Sequence, residues 1–243
     1  MTSPVNLGTA FDKENDDEII LKGKPTPRPR DAATLILVKK DALATRVLMG
    51  KRSAGHDFMP KKYVFPGGRV DPPDGRVPAS TELNSEQENR LRYKSRRQPR
   101  AFALTAIRET FEETGLIIGR NAIAVRQVPA GWQALADLNI LPSLEHLAFI
   151  GRAITPPYRP KRFDARFFMA DADKVLIDDR PPMDGAELHD LRWVTLDEAY
   201  ALDLPNVTRF MLDEVEQHLS TNVAPRPPFL RWTQKGHTKD RID

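Results

Sequence analysis

The chain has 243 residues, enough for one globular unit with tails, and a 40% hydrophobic content is sufficient for a genuine core. Its 37 Lys and Arg nearly balance 34 Asp and Glu, and a formal charge of +3 suits an anionic small ligand better than a long nucleic-acid track. With no cysteine, disulfides, thiolate metal sites and cysteine nucleophiles are excluded, and a reducing, cytoplasmic setting is the compatible expectation.

Residues 1–30 mix acids with a proline-spaced basic segment and have little to bury, so they are expected to form a flexible arm that lacks the look of a leader peptide. No apolar run approaches a membrane span, and a membrane partner is not expected. The folded domain is expected over 31–221. Residues 34–38 form a short β-branched apolar run, and 46–52 read as its hairpin partner. Residues 63–70 read as a strand running into a glycine turn at Gly67 and Gly68. Residues 75–100 are polar and rich in arginine; they read as a surface insertion, either a solvated loop or short helix, or a basic lid over an anionic substrate.

The centre of the chain is 101–116, AFALTAIRETFEETGL. On a helix, Leu104, Ile107 and Phe111 share one stripe, while Glu109, Glu112 and Glu113 occupy nearly the opposite arc. Gly115 stands where a left-handed cap would end the helix, and 116–118 could begin a strand. A short helix at 131–138, strands at 147–154, 162–170 and 187–194, a helix opening at Thr195 with Glu198 in capping-box spacing, and a helix over 206–219 follow. Residues 222–243 read as a tail. Strands on both sides of the acidic helix indicate a mixed α/β (α+β) layer structure.

Three carboxylates on one helical arc repel one another by about a few tenths of a kcal/mol per pair, a cost that a bound cation reverses. Oxygen ligands of this kind suit Mg²⁺ or Mn²⁺, with waters and substrate phosphate completing the shell. Such metals would neutralise a diphosphate, orient a water and stabilise the leaving oxygen. Glycines at 67 and 68 allow backbone groups to approach a metal or phosphate closely. Arg52 is a candidate phosphate contact, as are Lys51, Lys61, Lys62, Arg162 and Arg166.

The helix motif Arg108-Glu109-Thr110-Phe111-Glu112-Glu113-Thr114-Gly115-Leu116, preceded by Gly68, resembles the signature of Nudix hydrolases. The sequence departs from that signature in three ways. Thr110 stands at a usually aliphatic position, with Phe111 supplying apolar bulk. Asp74 replaces a glutamate at an accessory metal position. The seven-residue spacer is replaced by the long insertion. Residues 56–75, the insertion, and 154–170 together resemble the branch that includes the peroxisomal coenzyme A diphosphatase. The resemblance implies a Nudix fold, with a mixed β-sheet sandwiched between helices and a polar insertion inside the box. It also implies metal-dependent hydrolysis of a nucleoside diphosphate linked to another moiety, with coenzyme A or acyl-coenzyme A as the substrate class. By the same resemblance Glu109, Glu112 and Glu113 are metal ligands together with Gly68, Arg108 orients a glutamate, and Arg52, Gly67, Gly68 and Glu187 face substrate. The general base stays open between Glu109, Glu187 and metal activation alone. A catalytically weak nucleotide sensor and an RNA-end pyrophosphohydrolase are the alternatives; the arginine-rich insertion has only Tyr93 for base stacking, so a nucleic-acid partner is not expected. A nucleotide-type substrate and a homodimer are the partners the resemblance allows.

Overall fold

The computed structural model describes residues 3–4, 25–55, 59–125, 127–221, 223–233 and 236–243. The strands, in chain order, are β1 (Ser3–Pro4), β2 (Arg30–Lys40), β3 (Thr45–Arg52), β4 (Tyr63–Val64), β5 (Gly67–Arg69), β6 (Arg120–Asn121), β7 (Ile140–Leu141), β8 (Ala148–Ile154), β9 (Phe163–Asp171), β10 (Leu188–Thr195), β11 (Pro228–Thr233) and β12 (Gly236–Arg241). The helices are α1 (Ser85–Arg92), α2 (Pro99–Thr114), α3 (Gln133–Asp137), α4 (Ala172–Val175), α5 (Leu196–Ala201) and α6 (Asn206–Ser220). Ten strands join in one mixed sheet of order β1-β12-β11-β8-β9-β2-β3-β10, with β4 on β3 and β5 on β2. The β2·β9 and β8·β11 pairs are parallel, and β6 and β7 form a separate ribbon.

Strand alternation divides the core into two layers. Ala33, Leu35 and Leu37 of β2 face α2 together with Leu48 and Phe168, whereas Ile36 and Val38 face α6 together with Met49 and Phe167. A sheet with an apolar layer on each face, covered by helices, is the mixed α/β arrangement expected from the sequence. The Thr195–Glu198 capping box at α5 is present in both directions. Among the described residues no helix is long and apolar enough to cross a membrane.

The junction that positions the site is a divergence of β2 from β3. They pair only through Val38–Lys40 and Thr45–Val47, while the first half of β2, Ala32–Thr34, pairs with β5 instead. The expected single strand at 63–70 is therefore two strands with different partners: β4 adds to β3, and Phe65 and Pro66 carry the chain across to β2, where the Leu35 amide donates to the Pro66 carbonyl. This crossing brings Gly67 and Gly68 against α2.

Two further expectations are corrected. Residues 116–118 make only an isolated bridge, Ile118 to Leu176, because this apolar run is buried under the loop after α4 rather than paired along a strand. The expected tail at 222–243 contains β11 and β12, which extend the sheet; fully buried Glu214 of α6 holds Lys239 at 2.9 Å and Arg241 at 2.8 Å and thereby pins the hairpin. The expected N-terminal arm lies mostly outside the described residues, and its Ser3–Pro4 pairs with β12.

The insertion at 75–100 is packed, not a lid. Val77, Leu83 and Leu91 are buried in the layer beneath α2, and α1 is capped by the Asn84 side chain. Gln87 accepts the Phe149 amide of β8. Four of its arginines pair with carboxylates: Arg90 with Glu86, Arg92 with Glu88, Arg97 with Asp31 and Arg100 with Glu82.

Candidate active site

Helix α2 starts on Pro99 at its first position and ends at Gly115, whose φ of 71° is the left-handed geometry anticipated for the cap, with its amide bonded to the Phe111 carbonyl. Burial extends around most of the helix. Thr105, Thr110 and Thr114 are buried; Thr110 and Thr114 donate to carbonyls four residues back, while the Thr105 hydroxyl reaches both the Ala101 carbonyl and Asp74, so Thr110 fills its core position without leaving a polar atom unpaired. Phe111 is partly buried and packs against the core layer beneath the helix.

Arg108 is 5% exposed and is the hub of the acidic face. Its Nε and Nη2 reach both oxygens of Asp74 at 3.0 and 3.1 Å, and Nη1 reaches Glu109 at 2.8 Å and Glu112 at 3.0 Å. Nη2 also donates to the Arg69 carbonyl. Burial alone would weaken its charge, but the hydrogen bonds and charges of Asp74 and the glutamates outweigh that and hold its pKa above the ordinary value.

Asp74 sits at the root of that hub. It is fully buried and also accepts from Thr105 Oγ1 at 2.7 Å, Trp132 Nε1 at 2.9 Å and the Asp71 amide at 3.0 Å. Burial pushes its pKa up, but the hydrogen bonds from Arg108, Thr105 and Trp132 outweigh it and hold the carboxyl below the usual range. With its lone pairs engaged by protein donors, Asp74 is an anchor for Arg108, which corrects the accessory-metal expectation.

Glu109 and Glu113 are treated differently. Burial drives the Glu109 pKa up to about 7, against the pull of Arg108 and with added repulsion from Glu112 and Glu187. Burial drives Glu113, 8% exposed, up to about 8; the Gly67 amide, donating to Oε2 at 2.8 Å, and the Arg52 charge only partly offset it. Glu112 is more open, and its pKa is raised by burial against the charge of Arg108. A Cβ on Gly68 would overlap the Glu109 carboxylate, which explains why glycine is needed there.

These groups border a cavity of about 480 Å³, within the range of small-molecule sites. Arg52, Gly67, Gly68, Arg69, Glu109 and Glu187 line one end, so the four substrate-facing residues expected from the sequence are brought together with two of the metal-ligand candidates, Glu109 and Gly68 itself. Glu113 lies just behind Gly67, and Glu112 is exposed and outside the cavity lining. Lys51, Lys61, Lys62, Arg162 and Arg166 are not in the lining. Arg166 instead faces α2, stacked 4.0 Å over the Phe102 ring and paired with Asp31 and Asp164; burial pulls its pKa down to about 10. Lys62 pairs with Asp203.

The donors fit a hard divalent cation in kind: all are oxygens, and burial makes two of the carboxylates easier to protonate than normal despite the arginines near them. They are not preassembled, since among the described residues no three acidic or histidine side chains gather as a ligand cage. Sequence reading missed Arg30, Arg69, Tyr158, Arg159 and His237 of the lining. The alternation of Arg30, Ala32 and Thr34 along β2 was the one available signal for the first of these.

No family model matches the chain. A curated relative from Caenorhabditis elegans, nudix hydrolase 7, is 31% identical over 205 residues, covering 74% of this chain and 57% of the relative. The chain therefore spans little more than half the length of that relative. The crystal structure of a NUDIX hydrolase from Alicyclobacillus acidocaldarius superimposes with a TM-score of 0.59 at 27% identity, covering 81% of this chain and 98% of that one. The fold is that of the Nudix proteins.

Proposed function

We propose that this chain, with its Nudix fold, hydrolyses the diphosphate bond of a nucleoside diphosphate linked to another moiety by attack of water on phosphorus. The observation that carries the reading is the pair Glu109 and Glu113, buried beside Gly67 and Gly68 with pKa values pushed to about 7 and 8, at the arginine-bearing end of a cavity. Water adds to one phosphorus, the bond to the bridging oxygen breaks, and two phosphorylated products and a proton leave.

The residues that would hold a divalent cation, Mg²⁺ or Mn²⁺, are Glu109, Glu112 and Glu113 with the Gly68 carbonyl. When bound, the cation supplies charge neutralisation for the diphosphate and a more acidic water. The chain's own groups do the rest. Arg52 and Arg69 place positive charge at the diphosphate end of the cavity. Arg108, fixed by Asp74, holds the carboxylates of Glu109 and Glu112 in orientation. The Gly67 amide fixes Glu113. Proton acceptance from the water falls to Glu109, whose pKa near neutrality suits a general base, or to Glu187 across the same end of the cavity.

Coenzyme A or acyl-coenzyme A is the substrate class we favour, on the resemblance of residues 56–75 and 154–170 to that branch and on a cavity that continues beyond the arginines into Ile154, Phe163, Phe167, Val207 and Phe210. The test is a panel of coenzyme A, acyl-coenzyme A, NADH, ADP-ribose and dinucleoside polyphosphates with Mg²⁺ and with Mn²⁺, read by product mass. Cleavage at the diphosphate of at least one is expected, coenzyme A derivatives fastest; silence across the panel with both metals overturns the proposal.

A further inference from the structure

The end of the cavity away from the glutamates is built from aromatic side chains that the chemistry above does not use. At one level of the sheet, register places Arg69 of β5 beside Ala32 of β2, then Ala165 of β9, Ala153 of β8 and Leu230 of β11. All five line the cavity, so the three alanines give it depth as it crosses the strands. From β5 to β8 is three strand steps, about 14 Å at the usual inter-strand spacing. That leaves room beyond a diphosphate for a nucleoside.

At that far end the loop after β8 and the β11–β12 hairpin meet. Tyr158 stands edge-on to Trp232 with ring centroids 5.3 Å apart, and Trp232 stands edge-on to His237 at 4.7 Å. Tyr158 and His237 line the cavity, and Arg159, 4% exposed, lies 5.6 Å from the Tyr158 ring centroid and lines it too. Trp232 is not itself in the cavity lining; it keeps 37% of its surface exposed and braces the two rings that are. The hairpin that presents it is held as a wall by the buried Glu214 ion pairs.

We propose that Tyr158 and His237, braced edge-on by Trp232, form the platform on which the nucleobase of the substrate stacks. Every base offers a π-face, and such stacking is tolerant of base identity, so the platform contributes affinity for nucleotides as a class. This rests on the reading of the cavity as a nucleotide site, but its test does not require turnover.

The full chain is titrated with AMP and, separately, with ribose 5-phosphate, which carries the same phosphate and no base, by calorimetry and tryptophan fluorescence. AMP is expected to bind about tenfold or more tighter than ribose 5-phosphate and to quench Trp232. Trp232→Ala and Tyr158→Ala should each remove about tenfold of AMP affinity and leave ribose 5-phosphate unchanged, whereas Trp232→Phe and Tyr158→Phe, which keep a ring and the hairpin contact, should restore it. Equal affinity for the two ligands, no AMP binding, or AMP binding that withstands both alanine substitutions in folded protein overturns the platform. AMP binding with these properties in a protein that cleaves no diphosphate would retain the platform and sink the hydrolase.

Discussion

Asp74 and Glu113 are buried carboxylates served by opposite arrangements. Asp74 accepts from Arg108, Thr105, Trp132 and the Asp71 amide, and its pKa falls although burial raises it. Glu113 accepts from the Gly67 amide, keeps Arg52 as a more distant cation, and its pKa climbs to about 8. Buried carboxylates are normally hydrogen-bonded or paired. One of these two is finished by the protein, and the other calls for charge from outside. Under the proposed function, the difference separates a structural anchor, Asp74, from a proposed ligand position, Glu113.

The largest way to break this comparison is Asp74→Ala. It leaves the Arg108 guanidinium buried against a reduced set of partners and should cost about 3–5 kcal/mol of unfolding free energy in urea. A loss below about 1 kcal/mol would show that Asp74 anchors nothing. Next is Glu113→Gln, which should lower hydrolysis on the best substrate about 100-fold or more while the protein stays folded by circular dichroism. A variant within about threefold of wild type would remove Glu113 from the chemistry.

The third effect is in pH. Glu109 and Glu113 have folded-state pKa values of about 7 and 8, above their ordinary value of 4.5. Between about pH 4.5 and 8 the native state thus binds more protons than the unfolded chain, so metal-free stability must fall as pH rises through that window. Thermal unfolding without metal should show a Tm that declines from pH 5 to about pH 8 and then levels, with most of the slope gone in Glu113→Gln. Asp74 has the opposite sign: with its pKa lowered, its contribution is present at neutral pH and lost only under acid.

The smallest expected change is Gly68→Ala. The added methyl meets the Glu109 carboxylate, the movable end of a side chain, so stability should change by less than about 1 kcal/mol. Hydrolysis should nevertheless drop about tenfold through displaced Glu109, and an unchanged kcat would mean that the position of Glu109 is not critical.

The acidic helix, its glycine cap, the β2–β3 hairpin and the Thr195 capping box were legible because each is specified by residues within a few positions of one another. Asp74 was not, since its role depends on Trp132, which lies 58 residues away, and on Arg108, which lies 34 away. The insertion misled because Val77, Leu83 and Leu91 follow no helical or strand period; they are buried by contacts with α2 and the strands around it. The β11–β12 hairpin was hidden behind prolines at 225, 227 and 228, and its inward face is set by pairing with β8, a strand 75 or more residues earlier. In the site, the helical carboxylates were readable as a motif, whereas the arginine and aromatic lining is assembled from β2, the loop after β8 and the hairpin.

Calorimetric titration of Mn²⁺ into wild type, Glu109→Gln and Glu113→Gln at pH 7.5 tests the central claim most directly. The account predicts saturable binding to wild type and affinity at least about tenfold weaker in each variant. Equal Mn²⁺ affinity in all three proteins, or no binding to wild type, would contradict it.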